Sequence, residues 1–269
     1  PAFIIYAIFA LAPIFYNVYL SLFDTDLMSK MNFVGIKNYL SLFSDKTFKH
    51  AFGNNILMVV GSLVAHMPLA MFFGNAIFKK IKGASFFQTV FFLPCVICGV
   101  AVGLTWTFIY NGNYGLLNGF LKAIGLGGLQ QMWLANKETA MLCIIIVIMW
   151  QYVGYHMVIQ LAAMRNIDSS FYEAAEIDGA TGWQQFIKPI LKIDAVLIIT
   201  GSLKYYDLVA VMTSGGPNHA TEVMSTYMYY QSFNILNYGY ASAIGVVLML
   251  LCILSVGISN RVFKTDETV

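Results

Sequence analysis

Charged side chains are scarce in this chain: Asp, Glu, Lys and Arg make up 10% of 269 residues, where soluble globular domains carry roughly 25%. That deficit excludes a soluble domain. Also missing is the period-2 alternation of apolar and polar residues that a membrane β-barrel requires. The sequence holds no phosphate-cradling G-x-x-x-x-G-K-[ST], no zinc-type H-E-x-x-H and no G-x-S-x-G elbow. No enzymatic chemistry is therefore expected of it. A net charge of +2 points to no nucleic-acid partner. The four cysteines, Cys95, Cys98, Cys143 and Cys252, all fall inside apolar runs. The Cys95-x-x-Cys98 pair lacks a second pair or a histidine at zinc-site spacing, so packing is expected of all four, and no metal site.

What is abundant is hydrophobic residues, 59% of the chain, gathered into six runs long enough to cross a bilayer. These are Pro1 to Phe23, Phe52 to Phe78, Phe86 to Tyr110, Ala140 to Met164, about Ile190 to Val211, and Gly239 to Val262. Backbone groups in lipid must be bonded within their own segment, so six transmembrane helices are expected, an all-α polytopic membrane protein with one domain over residues 1–269. The first run is longer than the apolar core of a signal peptide, contains Pro13 and Tyr16, and lacks a small-x-small cleavage site. Lys79, Lys80 and Lys82 follow the second run, Arg165 the fourth, and Arg261 and Lys264 the sixth. All lie on one side by parity, which the positive-inside rule makes cytoplasmic, together with both termini. On the other side, loops at about 24–51 and 111–138 carry turn residues and aromatics, and SGGPN at 214–218 makes a sharp exit from the fifth helix.

One cytoplasmic segment, about 165–188, stands apart. It contains FYEAAEIDGATGWQQFIKP at 171–189, with Asp168, Glu173, Glu176 and Asp178 in or just before it. Ser170 followed three residues later by Glu173 forms a capping box, and acids in the first turns suit the helix dipole. Ala174 and Ala175 leave a flat patch, and Gly179 ends the helix. So short a helix is unstable alone in water. Phe171, Tyr172, Ile177 and Trp183 then point to a groove in a partner protein. An interfacial helix resting on lipid is the other reading, but such helices are usually basic and this one is acidic.

EAAEIDGATGWQQF resembles the EAA loop of permease subunits of bacterial binding-protein-dependent ABC importers. FVGIKNYLSLF (33–43), FFLPCVICGVAVGLTWTFIYNGNYGLLN (91–118) and YDLVAVMTSGGPNHATEVMSTYMYYQSF (206–233) resemble the carbohydrate-uptake subfamily, and the Gly-Gly-Pro turn its maltose-type first permease subunit. Two features depart from that pattern: Pro189-Ile190-Leu191-Lys192 stands where an Ile-x-Leu-Pro element is usual, and the interval from Gly179 to Gly215 is shorter. The resemblance implies a type I ABC importer permease fold in the bacterial cytoplasmic membrane. It also implies a second permease subunit, two ATPase subunits, an extracytoplasmic solute-binding protein and a sugar substrate. This chain would need no cofactor, with ATP and Mg²⁺ held by the ATPases. Glu173, Ala174, Ala175 and Gly179 become the residues that couple to an ATPase.

In maltose-type permeases the fourth and fifth helices carry the sugar contacts. By spacing these fall on Gln151, Tyr152 and Tyr155, and on Ile198, Gly201, Ser202 and Tyr205. Each set shares one helical face, and tyrosine offers a flat apolar ring plus a hydroxyl. Joining helices by hydrogen bonds is the alternative role. Lys204 and Asp207, at i and i+3, form a candidate gating pair that neutralises itself. His66 and His156 in helices, and His50 and His219 in outer loops, suggest packing or surface roles. Two other functions stay open at this level: import of a polar non-sugar such as a phosphorylated polyol, and an intramembrane enzyme, which would need clustered acids, histidines or a nucleophile at one depth.

Overall fold

A computed structural model describes residues 1–168, 170, 171, 177, 179 and 194–262. Among these, five helices are long and apolar enough to cross a membrane, and a bent pair makes a sixth where the two halves are taken as one span. The first, α1 (Ala2–Leu20), leads into a hairpin of β1 (Phe23–Thr25) and β2 (Met31–Phe33), which pair antiparallel with Phe23 opposite Phe33. The Asp26 carboxylate closes the hairpin by accepting from the amides of Met28, Ser29 and Lys30 at 2.8–3.0 Å. These bonds, the Lys30 amide foremost, hold its carboxyl well below the usual carboxylate range. A short helix, α2 (Lys37–Ser44), then precedes the long α3 (Lys46–Phe78). His50 lies in the opening turns of α3, not in a loop.

Both α1 and α3 contain one widened, π-helical turn, at Ala7–Leu11 and Ser62–His66. In each case a proline, Pro13 or Pro68, stands two residues beyond the turn. Proline has no N–H to donate and crowds the carbonyl four residues back. Those carbonyls belong to Phe9 and Val64, inside the widened turns, which absorb the misfit.

The third apolar run is not one straight helix, as its composition suggested. It is α4 (Ala84–Val96) and α5 (Gly99–Ile109), bent by 97° at the break. Pro94 removes a hydrogen bond in the last turn of α4, and Ile97 leaves the helix in extended conformation, with Cys98 also non-helical, before α5 restarts. Cys98 is exposed at this break rather than packed. Helix α6 (Leu116–Ala123) follows, in a loop organised by the buried Asn118 side chain. It donates to the carbonyls of Gly112 (2.8 Å) and Gln131 (3.0 Å) and accepts from the Trp133 indole (2.8 Å).

Helix α7 (Ala140–Arg165) is the centre of the molecule: 56% of its most apolar 18-residue stretch is buried, against 6% for α1 at the periphery. The second half of α3 and the whole of α4 pack on it. At Gly154 the contact is backbone to backbone, since a Cβ there would lie 1.9 Å from the Phe91 carbonyl oxygen. The fifth crossing is α8 (194–203) and α9 (Asp207–Met212), which keep one direction across an unwound step at 204–206. A turn at 213–223 leads to α10 (Met224–Tyr229), a π-helical turn at Tyr230–Asn234 and α11 (Tyr238–Val262). The hairpin, α2, α6 and α10 thus lie at one end of the bundle.

Candidate functional site

The unwound step at 204–206 leaves carbonyls without helical partners, and they find side chains instead. The Asn55 amide donates to the carbonyls of Ser202 (3.3 Å) and Leu203 (3.0 Å) while its oxygen accepts from the Met224 amide (2.8 Å). The Ser225 hydroxyl donates to the Tyr205 carbonyl. Neighbouring Asn54 donates to the carbonyls of Ala220 (2.9 Å) and Glu222 (2.8 Å). Two adjacent asparagines on α3 therefore hold both the break and the turn beyond it. Their signal in the sequence is a polar pair opening an apolar run.

Beside the break lies a cavity of about 480 Å³, near the middle of α3 and α7. Six of the residues placed there by spacing line it: Tyr152, Tyr155, Ile198, Gly201, Ser202 and Tyr205. The rings of Tyr152 and Tyr205 stand perpendicular, 6.1 Å apart, across its wall. Gln151 does not line it. Its side chain is 1% exposed and donates to the Ile97 carbonyl at 3.3 Å, bridging the α4–α5 break. Lys204 and Asp207 both line the cavity, yet among the described residues no ion pair joins them. The chain is not helical at 204–206, so the i, i+3 helical geometry assumed from spacing does not hold for this pair.

Sequence reasoning passed over part of the wall. Ser62 and His66 enter it from the π-helical turn of α3, and the Ser202 hydroxyl lies 3.3 Å from that of Ser62. The His66 ring meets the His156 ring edge to face at 4.8 Å. His156 is more than a packing residue: its Nδ1 lies 2.6 Å from the carboxylate of the fully buried Asp194, which also accepts from Gln160. The clue was present as G-S-L-V-A-H-M-P, two polar residues ahead of a proline inside an apolar run. Among the described residues no group of three His, Cys, Asp or Glu could hold a metal ion.

At the end of the bundle opposite the hairpin, Asp168 accepts from the Ser170 amide at 2.9 Å. Ser170 and Phe171 are already helical, so Ser170 lies inside the helix and its amide is met by the Asp168 carboxylate. That amide and the Ser170 hydroxyl keep the Asp168 carboxyl below its usual range. Phe171 and Ile177 are 70% and 87% exposed, and Gly179 adopts the left-handed φ of +73°. Glu173, Ala174 and Ala175 lie outside the described residues, as does the Pro189 to Lys192 stretch.

At the hairpin end, Asp45 caps α3 through the Thr47 amide (2.8 Å) and accepts from the hydroxyls of Tyr227 (2.5 Å) and Tyr240 (2.7 Å). Burial opposes its charge, but these bonds outweigh it and hold the carboxyl below its ordinary value. The 213–223 turn is as tightly built, with the Thr221 hydroxyl donating to the Gly216 carbonyl at 2.7 Å and 2.7 Å from that of Thr213.

Residues 58–266 match the family described as binding-protein-dependent transport system inner membrane component. The chain belongs to that family. A probable ABC transporter permease protein of Bacillus subtilis, YurN, is 38% identical, over 98% of this chain and 94% of the relative. The lactose transport system permease LacF of Rhizobium radiobacter is 32% identical, over 93% and 87%. The fold is that of a chain in a bacterial alginate ABC transporter solved with an alginate-pentasaccharide-bound periplasmic protein, with a TM-score of 0.77 at 23% identity, over 98% and 93% of the two chains. This permease is therefore an inner-membrane component of an ABC importer, with the type I permease fold.

Proposed function

We propose that this permease forms one half of the membrane path of an importer for a sugar or oligosaccharide. A second permease subunit completes the path, an extracytoplasmic solute-binding protein feeds it, and two ATPase subunits holding ATP and Mg²⁺ drive it. The observation that carries this reading is the mid-span cavity with paired tyrosines beside an unwound helix. Discontinuous helices near the midplane are where transporters place substrate. Tyr152, Tyr155 and Tyr205 offer ring faces to the C–H surface of a sugar, Ser202 offers a hydroxyl for hydrogen bonding, and Gly201, without a side chain, leaves room beside it. Lys204 and Asp207 bring opposite charges to the same rim, which suits a neutral polyhydroxyl ligand better than a phosphorylated one. That relatives include a lactose permease agrees with it.

Coupling falls to the segment about 165–188, with Glu173, Ala174, Ala175 and Gly179 meeting an ATPase on the cytoplasmic side, where both termini also lie. Gly179 adopts a left-handed φ that proline cannot reach, so proline there would reshape the segment's backbone. Gly179→Pro, and Ala174→Trp, are expected to leave the protein in the membrane while abolishing substrate-stimulated ATP hydrolysis. The decisive experiment reconstitutes the complex in vesicles and measures ATP hydrolysis against a panel of loaded binding proteins. Sugar-loaded proteins should stimulate it. Stimulation only by a protein loaded with a phosphorylated polyol would sink the sugar assignment.

A further inference from the structure

A second cavity, of about 420 Å³, lies between the mid-span cavity and the hairpin end, and Tyr206 lines both. Tyr206 and Tyr229 set their rings 5.5 Å apart at a tilt, and the Tyr230 ring meets that of His219 at 6.1 Å. Beneath them is Glu222, whose side chain is only 5% exposed. Its Oε2 lies 2.9 Å from His219 Nδ1, while among the described residues no hydrogen bond engages Oε1. Asn234 completes the polar wall. The cavity thus pairs aromatic faces with a fixed, acceptor-bearing carboxylate, the two elements that recognise a ring carrying C–H faces and vicinal hydroxyls.

Its position matters as much as its lining. Tyr206, the last residue of the unwound step, and Ala210, whose amide donates to the Tyr206 carbonyl at 2.9 Å in the first turn of α9, both line it, so the cavity extends about 6 Å along that helix from the break. Tyr205 and Asp207, next to Tyr206 in sequence, turn instead to the mid-span cavity. Two lobes meeting at one shared tyrosine suit a ligand of two linked rings better than a single compact one. We infer that the second cavity is an outer carbohydrate subsite, which takes the next ring of an oligosaccharide whose leading ring sits in the mid-span cavity. This rests on the sugar reading above.

The test uses the full complex in vesicles with mono-, di- and trisaccharides of the gluco, galacto and N-acetylglucosamine series, each delivered by its binding protein. Tyr229→Ala removes a ring face at a half-exposed position, and Ala210→Phe fills the lobe. Both should slow di- and trisaccharide transport about tenfold, the worth of one aromatic contact, and leave monosaccharide transport and basal ATP hydrolysis unchanged. If only di- and trisaccharides move, the variants must lose them while basal hydrolysis holds. Equal loss at every chain length by both variants in assembled complexes, no loss at any length, or a wild type confined to monosaccharides would overturn the subsite. A wild type that moves no sugar would overturn the sugar reading itself.

Discussion

Two of the six crossings are interrupted, and they are interrupted differently. Between α4 and α5 the chain turns through 97° at a proline-bearing end. Among the described residues one side-chain hydrogen bond, from Gln151 at 3.3 Å, spans that break, and the Gln151 oxygen is itself buried without a partner. Between α8 and α9 the axis is kept, no proline or glycine occupies 203–207, and the loose carbonyls of Ser202, Leu203 and Tyr205 are taken by Asn55 and Ser225. The first break is imposed by local chemistry and tied down lightly. The second is imposed by tertiary structure and tied down at several points, and it is the one with the cavities on either side. A rigid unwound step gives a substrate fixed backbone and side-chain groups, whereas a loosely tied bend leaves its surroundings room to adjust.

Substitutions can break this contrast. The largest effect is expected from Gly154→Leu, which drives a side chain into the Phe91 carbonyl and parts α4 from α7. The loss should exceed the roughly 1–3 kcal/mol of ordinary overpacking, seen as failure to recover folded protein in detergent. Next comes Asn55→Leu, which removes three hydrogen bonds at the straight break. At roughly 0.6 kcal/mol for each such bond within a membrane protein, about 2 kcal/mol is lost, read from thermal unfolding. Transport should fall with it, because the step that carries Tyr205 loosens. Retained transport with an unchanged melting temperature would remove Asn55 from its role.

Asp45 ties the start of α3 to α10 and α11, beyond the straight break, and its contribution depends on pH. Its folded-state pKa is depressed below the ordinary 3.8. The stabilisation is therefore fully present above that value and lost as pH falls through the lower folded one. Wild type should lose melting temperature between about pH 5 and pH 2 more steeply than Asp45→Asn; parallel curves would refute the linkage. The smallest effect is expected from Gln151→Leu at the bent break. One long hydrogen bond is lost and an unsatisfied oxygen disappears with it, so stability should shift by less than about 0.5 kcal/mol, with transport close to wild type. A transport loss matching that of Tyr205→Ala would instead return Gln151 to the substrate path.

These differences follow what a sequence can carry. The six crossings were legible because burial in lipid is written in composition, and the bend near Pro94 had its cause in plain view. The straight break was not, because its cause is Asn55, about 150 residues away. Spacing on an ideal helix brought Tyr152, Tyr155 and the 198–205 set to one surface. The same idealisation misplaced Gln151, and it paired Lys204 with Asp207 across residues that are not helical. The histidine and serine of α3 were visible as residues, but a π-helical turn had to be known before they could be aimed at the cavity. At the opposite end, Ser170 satisfied the spacing rule for a cap with Glu173, yet Ser170 is itself helical and its amide donates to Asp168.

The π-helical turn at Ser62–His66 has a mechanical meaning for α3. One extra residue in a turn offsets the phase of everything after it by about 100°. Before the turn, Asn54 and Asn55 face the fifth crossing and the turn at 213–223. After it, Ala70, Gly74 and Ile77 face α7. A uniform α-helix would present the second set about 100° away from where it now points. Deleting Val64 would restore regular winding and set the two halves of α3 at odds, so a single residue of slack keeps one shaft engaged with two neighbours.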